Sequence, residues 1–303
     1  MLRLSVLFAA GLAALPALAA SAETVTIETA RGPAEAPRAP QTVAVYDIAA
    51  IDTLTALGVT PAGVPDNLYL DRLAPLAETA EAVGTLFEPD LEALNALAPD
   101  LVIVGGRSSE QLDSVGRVAP SIDMTIWGDD MIEQALDRLK AYGDLFGKAA
   151  EADALAAQFQ AKLDRLQAAA ADEGDAMILM TNGPKVTAYG AGSRFGWLHA
   201  ASGLPEAVEA IDEATHGEAV SFEFIAEADP DWLIVIDRAA AIGETGAGAA
   251  ETLDNALVAD TTAWREDQVV YLNSAEAYIA GGGIGALESA VDALLAAFDA
   301  PGA

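Results

Sequence analysis

The chain has no cysteine, which excludes disulfides, thiolate metal sites and cysteine nucleophiles together. It has only two histidines, too few for a zinc site built from several imidazoles. Positive charge is scarce as well: 15 Lys and Arg stand against 47 Asp and Glu, for a net charge of −32. A surface of that sign repels nucleic acid and anionic membrane, so neither is expected as a partner. Beyond residue 22 no run of about 18 or more apolar residues occurs, and no spanning helix is expected. What remains must be held by burial alone. At 303 residues and 52% hydrophobic, the chain has material for two cores.

The first 22 residues have the pattern of a cleavable export signal. Arg3 supplies a short positive start, Leu4 to Leu18 an apolar centre, and Ala20-Ser21-Ala22 an A-x-A-like cleavage site. Ala17-Leu18-Ala19 is an alternative site. No cysteine follows the apolar centre, so the mature chain is expected to be exported and free of a lipid anchor.

One short block occurs twice. The first copy is Glu92, then Pro99-Asp100, then Leu101-Val102-Ile103-Val104, then Arg107. The second is Glu223, then Pro230-Asp231, then Trp232-Leu233-Ile234-Val235-Ile236, then Arg238. The same 131 positions separate Glu92 from Glu223, Pro99 from Pro230 and Arg107 from Arg238. One offset over one block points to two related lobes and not to a solenoid of short repeats. Each copy reads as a helix start, a turn, a buried strand, and an arginine at the strand's carboxyl end. Ligands of open α/β sheets bind at that edge, so each lobe is expected to aim an arginine into a shared cleft.

The chain therefore divides into a leader (1–22), an N-terminal α/β lobe (23–128), a connecting helix (129–169) and a C-terminal α/β lobe (170–303). In the first lobe, strands are expected at 24–29, 43–46, 59–64 and 121–126, with a helix from Asp47 to Leu57 ending at Gly58. Between the lobes, Ile132, Leu136, Leu139, Tyr142, Leu145 and Phe146 fall at helical spacing, and Ala152, Leu155, Phe159, Leu163 and Leu166 continue it. Gly143 and Gly147 mark where such a strut would kink or break. The second lobe opens with a strand at Met177–Met180, followed by a Gly-rich loop from Gly183 to Gly192 and a helix from Phe195 to Ser202. A strand at 269–272 and a helix at about 285–298 close it.

In their order and spacing, several segments resemble one family. They are Val83-Gly-Thr-Leu-Phe-Glu-Pro-Asp-Leu-Glu92, Pro99-Asp-Leu-Val-Ile-Val104, Gly192-Ser-Arg-Phe-Gly196, His216-Gly-Glu-Ala-Val-Ser-Phe-Glu223 and Tyr278-Ile-Ala-Gly-Gly-Gly283. Together they are similar to the periplasmic binding proteins of iron–siderophore ABC importers, on the catecholate (enterobactin- and petrobactin-type) branch. The resemblance implies two Rossmann-like lobes joined by one long helix, with the ligand between them. It also implies a monomer in the periplasm that delivers its cargo to an inner-membrane permease. No cofactor is then permanently bound, and iron enters as Fe(III) inside its siderophore.

The resemblance gives roles to particular residues. Arg107, Arg194 and Arg238 match arginines that hold anionic catecholate oxygens, a task suited to a permanent charge with forked donors. His216 and Tyr278 match a pair that completes the iron shell of a tetradentate chelate; Fe(III) is a hard cation that favours oxygen and accepts imidazole. Glu92 and Glu223 match carboxylates that dock on permease arginines, with helix capping as the plainer account of either and Glu88 and Glu218 as near neighbours. Tyr46, Trp127, Tyr189, Phe195 and Trp197 are candidate pocket walls, Tyr46 as a cleft residue and Trp197 as core. His199, inside a helix, reads as structural. One departure stands out: the family commonly carries a bulky aromatic before the tyrosine, and this chain has Ala277.

No enzyme is expected. There is no G-x-S-x-G, and Gly281-x-Gly283-x-Gly285 lacks dinucleotide-fingerprint spacing. A hydroxamate- or citrate-type ferric chelate, haem or cobalamin on the same scaffold remain the alternatives.

Overall fold

The computed structural model describes residues 23–128, 130–209, 211 and 216–299; the expected leader lies outside them. Its frame is two five-stranded sheets. Strands β1 (Thr24–Thr29) and β2 (Gly32–Pro37) form a separate antiparallel hairpin. The first sheet uses β3 (Val43–Val45), β4 (Gly63–Val64), β5 (Glu81–Ala82), β6 (Leu101–Val104) and β7 (Ser121–Asp123) in the order β5-β4-β3-β6-β7. All its pairings are parallel. The second uses β8 (Ala176–Asn182), β9 (Lys185–Tyr189), β10 (Glu218–Val220), β11 (Trp232–Asp237) and β12 (Val269–Tyr271) in the order β10-β9-β8-β11-β12. The two orders correspond strand for strand. They differ in that β9 runs antiparallel to both its neighbours.

That difference corrects the sequence reading, in which 183–192 is a Gly-rich loop. Gly183, at φ +55°, turns the chain back at once, and Lys185–Tyr189 pairs along β8. The alternation that makes it a strand was hidden between glycines: Val186 and Ala188 are buried and Lys185 is exposed.

The repeat is structural in detail. Helix Leu91–Leu97 and helix Phe222–Ala228 have equal length, each followed by a residue in the left-handed conformation, Ala98 and Asp229. Their N-caps also correspond, Asp90 accepting from the N–H of Glu92 and Ala93, and Ser221 from that of Phe224. The Pro-Asp carboxylates tie each central strand pair: Asp100 accepts from Gln41 and Thr42 N–H ahead of β3, and Asp231 from Asp175 N–H ahead of β8. β6 and β11 are buried along their whole length, as expected of parallel strands covered on both faces.

The connector is two helices, Met131–Phe146 and Ala149–Ala170, in place of one. Gly147 ends the first at φ +67°, a conformation glycine reaches without the steric cost a side chain brings. At Gly143 a Cβ would lie 2.6 Å from that of Ala152, so the second helix folds back closely on the first. The first packs on β1, and the second on helix Trp197–Ser202 and on the last helix, Ile284–Phe298. That last helix also packs against Ile48–Ala56 of the first lobe. One continuous apolar core thus runs from the first sheet through these helices into the second. No described helix is long and apolar enough to cross a membrane.

Asp231→Ala should cost about 1 kcal/mol, near the usual net value of one hydrogen bond, and Asp100→Ala, which gives up two, about 2 kcal/mol. The double variant should lose the sum, because the two sites share no partner. Urea unfolding of the three variants checks this.

Candidate functional site

The site lies where the two sheets present their carboxyl edges. After β6 the chain enters a tight turn, Gly106–Gln111, in which Ser108 Oγ accepts from Gly105 N–H and Gly106 N–H donates to Thr125 Oγ1. This fixes Arg107. At the end of β11, Asp237 accepts from Ala240 and Ala249 N–H while its own N–H donates to Ser274 Oγ. This fixes Arg238 and joins it to the short helix Ser274–Tyr278. Arg194 comes from the loop between β9 and helix Trp197–Ser202.

The three arginines, from both lobes, meet around one side chain. The guanidinium carbons of Arg194, Arg107 and Arg238 lie 4.7, 5.2 and 5.8 Å from the Tyr278 ring centre, all within cation–π range. Arg107 donates to the carbonyls of Tyr278 (2.9 Å) and Ile279 (3.2 Å), and Arg194 to the Tyr278 carbonyl (3.2 Å). Arg238 Nε donates to the phenol oxygen at 3.2 Å. Burial alone would raise the phenol's pKa. The hydrogen bond and charge of Arg238, with the charges of Arg194 and Arg107, outweigh it and hold the phenol below its ordinary value. Arg194 is itself pulled down, by burial first and then by the charge of Arg107.

A cavity of about 340 Å³ opens over this cluster, within the size range of small-molecule pockets. Arg107, Arg194, Tyr278 and His216 line it, together with Asp47 and Trp127. Arg238 stands behind the lining and reaches the site through the phenol. His216 is exposed at the rim, so both members of the expected iron-completing pair face one space. Among the described residues no three His, Cys, Asp or Glu side chains gather as a metal site.

Tyr46 is a correction. It is fully buried and donates its hydroxyl to the Val83 carbonyl at 2.7 Å, in the core between the first sheet and helix Leu91–Leu97. Tyr189 and Phe195 are buried too, packed edge to face at 4.8 Å, with Arg194 over the Phe195 ring. Trp197 is core as expected, and His199 is buried with Nδ1 3.1 Å from the Leu204 carbonyl. Trp127 is the wall that remains, 63% exposed. Ala277 is buried in the core and forms no part of the lining.

Asp47 is a site residue that the sequence reading placed only as a helix start. Loss of solvent pushes its carboxyl up to about 6, although the N–H groups of Ala49 and Ala50 and the charge of Arg107 favour the anion. Glu92 and Glu223 are exposed at matching positions in the first turns of their helices. Those helices are capped by Asp90 and Ser221, so neither glutamate is needed as the cap.

The family profile described as periplasmic binding protein matches residues 43–276. Petrobactin-binding protein YclQ of Bacillus subtilis is 32% identical over 265 residues, 86% of this chain and 83% of YclQ. Its crystal structure superposes with a TM-score of 0.85, covering 92% of this chain and 100% of that one. Ferric-anguibactin-binding protein FatB of Vibrio anguillarum is 29% identical over 263 residues, 84% of this chain and 82% of FatB. The periplasmic catecholate-siderophore binding protein VctP of Vibrio cholerae superposes with a TM-score of 0.84 at 31% identity, covering 90% of this chain and 100% of VctP.

The Tyr278 phenol should titrate below about 10, the value of a free tyrosine and of the unfolded chain. A phenol with a depressed folded pKa contributes stability that is present above the unfolded value and lost as pH falls through the folded one. Arg238→Met should move the midpoint upward and shrink this alkaline contribution. An ultraviolet difference titration against Tyr278→Phe reads the shift, and an unmoved midpoint would deny Arg238 its part.

Proposed function

Because the chain belongs to the periplasmic binding protein family, we propose that it captures a ferric catecholate siderophore outside the cytoplasm and delivers it to the permease of an ABC importer. The observation that carries this reading is the convergence of three guanidinium groups, from two lobes, on one phenol beside an open cavity. In a protein of net charge −32 such a cluster is an island of positive potential. An Fe(III) bis- or tris-catecholate carries several negative charges on planar oxygen-edged rings. Forked donors suit the oxygens and guanidinium faces suit the rings. At an effective dielectric of about 20, one charge pair near 5 Å is worth roughly 3 kcal/mol before desolvation. The names of YclQ, FatB and VctP support the same ligand class.

His216 and Tyr278 complete the iron shell when the chelate is tetradentate. Two of six octahedral positions then stay open, and a phenol already shifted toward ionisation loses its proton to the metal more readily. A hexadentate chelate saturates the iron and uses the same residues as lining. Replacing Arg194 together with Arg107 by Ala should weaken both chelates by roughly 1–3 kcal/mol per contact. His216→Ala and Tyr278→Phe should hurt a ferric tetradentate bis-catecholate far more than a hexadentate tris-catecholate. Fluorescence quenching supplies the affinities, and the visible charge-transfer band should lose its phenolate component in Tyr278→Phe. Equal losses for both chelates would leave the pair as pocket lining.

Glu92 and Glu223 mark the docking face of the two lobes. Paired carboxylates at equivalent helix starts can engage two arginines of a pseudo-symmetric permease, fixing orientation more than affinity. Glu92→Ala with Glu223→Ala should abolish uptake in cells and leave solution affinity unchanged. Retained uptake by the folded double variant would assign both residues to local helix electrostatics.

A further inference from the structure

The helix that carries Tyr278 is held from the opposite lobe. Asp52, on helix Ile48–Ala56 of the first lobe, is 3% exposed. Its Oδ2 accepts from Ala286 N–H at 3.0 Å, and the neighbouring Thr53 Oγ1 accepts from Ile284 N–H at 3.2 Å. Two side chains of the first lobe thus cap the last helix of the chain, where Gly283 and Gly285 leave room for the Asp52 carboxylate. On its other oxygen Asp52 takes Arg72, with Nη2 at 2.7 Å and Nε at 2.9 Å. Arg72 in turn pairs through Nη1 with Glu276 Oε1. Glu276 lies two residues before Tyr278 on the helix Ser274–Tyr278 and is 9% exposed.

This triad is not demanded by local folding. Glu276 is not the cap of its own helix, a role filled by Asn273. Its second oxygen, Oε2, is buried without a hydrogen-bond partner. A carboxylate in that condition is stabilised chiefly by its ion pair, so Arg72 and Glu276 must move together. The chain between β12 and the last helix carries Glu276, Tyr278 and the carbonyls to which Arg107 and Arg194 donate.

We propose that Asp52, Arg72 and Glu276 form an interlobe positioning triad, which holds the Ser274–Tyr278 helix so that Tyr278 stays seated among arginines from both lobes. Glu276 is the positioning residue, Arg72 the link and Asp52 the anchor that also fixes the last helix. The proposal rests on reading Tyr278 as the centre of the ligand site, and its test needs no ligand.

The test exploits a sign. Removing a carboxylate near a phenol lowers the phenol's pKa by direct electrostatics, whereas withdrawing the phenol from Arg107, Arg194 and Arg238 raises it. Besides the three arginines and His216 at the same cavity, Tyr189 is a phenol that interacts electrostatically with Tyr278, and Tyr189→Phe removes its signal. In that background, with Tyr278→Phe as the blank, Glu276→Gln should move the Tyr278 midpoint upward by roughly half a unit or more. Arg72→Met combined with Glu276→Gln should add little to the single change, because the residues act as one unit. Should Glu276→Gln not fold, Glu276→Asp keeps the charge but shortens the reach, and the same upward shift is expected. A downward shift, an unchanged midpoint, or full additivity with Arg72→Met would overturn the proposal. Failure of a folded Glu276→Gln variant to bind any ferric chelate, with the parent equally inert, would instead count against the ligand assignment alone.

Discussion

Three like charges in one small volume are the constraint around which this molecule is arranged. Arg107, Arg194 and Arg238 all lie within 5.8 Å of a single ring centre, and the cost of that crowding shows in Arg194, pulled down by burial and by Arg107. The fold offsets the cost with fixed dipoles and a polarisable face. The carbonyls of Tyr278 and Ile279 take donors from two arginines, and the Tyr278 ring centre lies within cation–π distance of all three. Once those dipoles are in place, an anion entering the cavity gains charge–charge attraction without reorganising its surroundings. That is the condition under which electrostatic recognition is strong.

The duplication explains how such crowding is assembled from both sides. β6 and β11 are each followed by an arginine at the same position of the repeated block, and each strand is tied to its neighbour by the aspartate that follows its proline. Arg107 comes from the first lobe, Arg194 and Arg238 from the second. The site exists because the last helix and the folded-back connector lock the lobes through one core, with Asp52 and Thr53 capping across the boundary. Arg238 reads the phenol from its own lobe, while Arg107 reaches across to the backbone of Tyr278. The tyrosine is therefore a contact between lobes as well as a part of the site.

The two lobes and the meeting of the three arginines were legible because they rest on local signals: a repeated block, a strand end, a glycine-flanked loop; His216 and Tyr278 were singled out by the family resemblance, and both line one cavity. Tyr46 was misread although a local signal existed. Val43 and Val45 point into one core and Ala44 into the other, and a period of two sends Tyr46 with Ala44, away from the cleft. Strand parity, properly followed, would have placed it. The break at Gly147 was visible as a glycine pair but not as a reversal, since a reversal depends on Gly143 admitting Ala152. Asp47 resembled any helix-starting aspartate; what makes it part of the site is Arg107, 60 positions away and brought beside it by the pairing of β3 with β6. The Asp52–Arg72–Glu276 triad left no trace in spacing at all, because its members belong to three unrelated elements.

The acidity of the whole chain and the positive charge of the site act at different ranges. At physiological ionic strength the Debye length is about 8 Å, so most of the −32 net charge is invisible from within the cavity. Arg107 and Arg194 lie on the cavity wall with Arg238 behind them, and all three are half-buried, where screening is weakest. The distant carboxylates therefore do not cancel the charge of the site. The nearest one, Asp47, shows how the conflict is moderated, since partial loss of solvent lifts its carboxyl to about 6 and so weakens its hold on negative charge. Among the described lining residues Asp47 is the one carboxylate, set against Arg107 and Arg194 on the wall and Arg238 behind it. That excess of positive charge at the wall favours an anionic occupant over a neutral or cationic one.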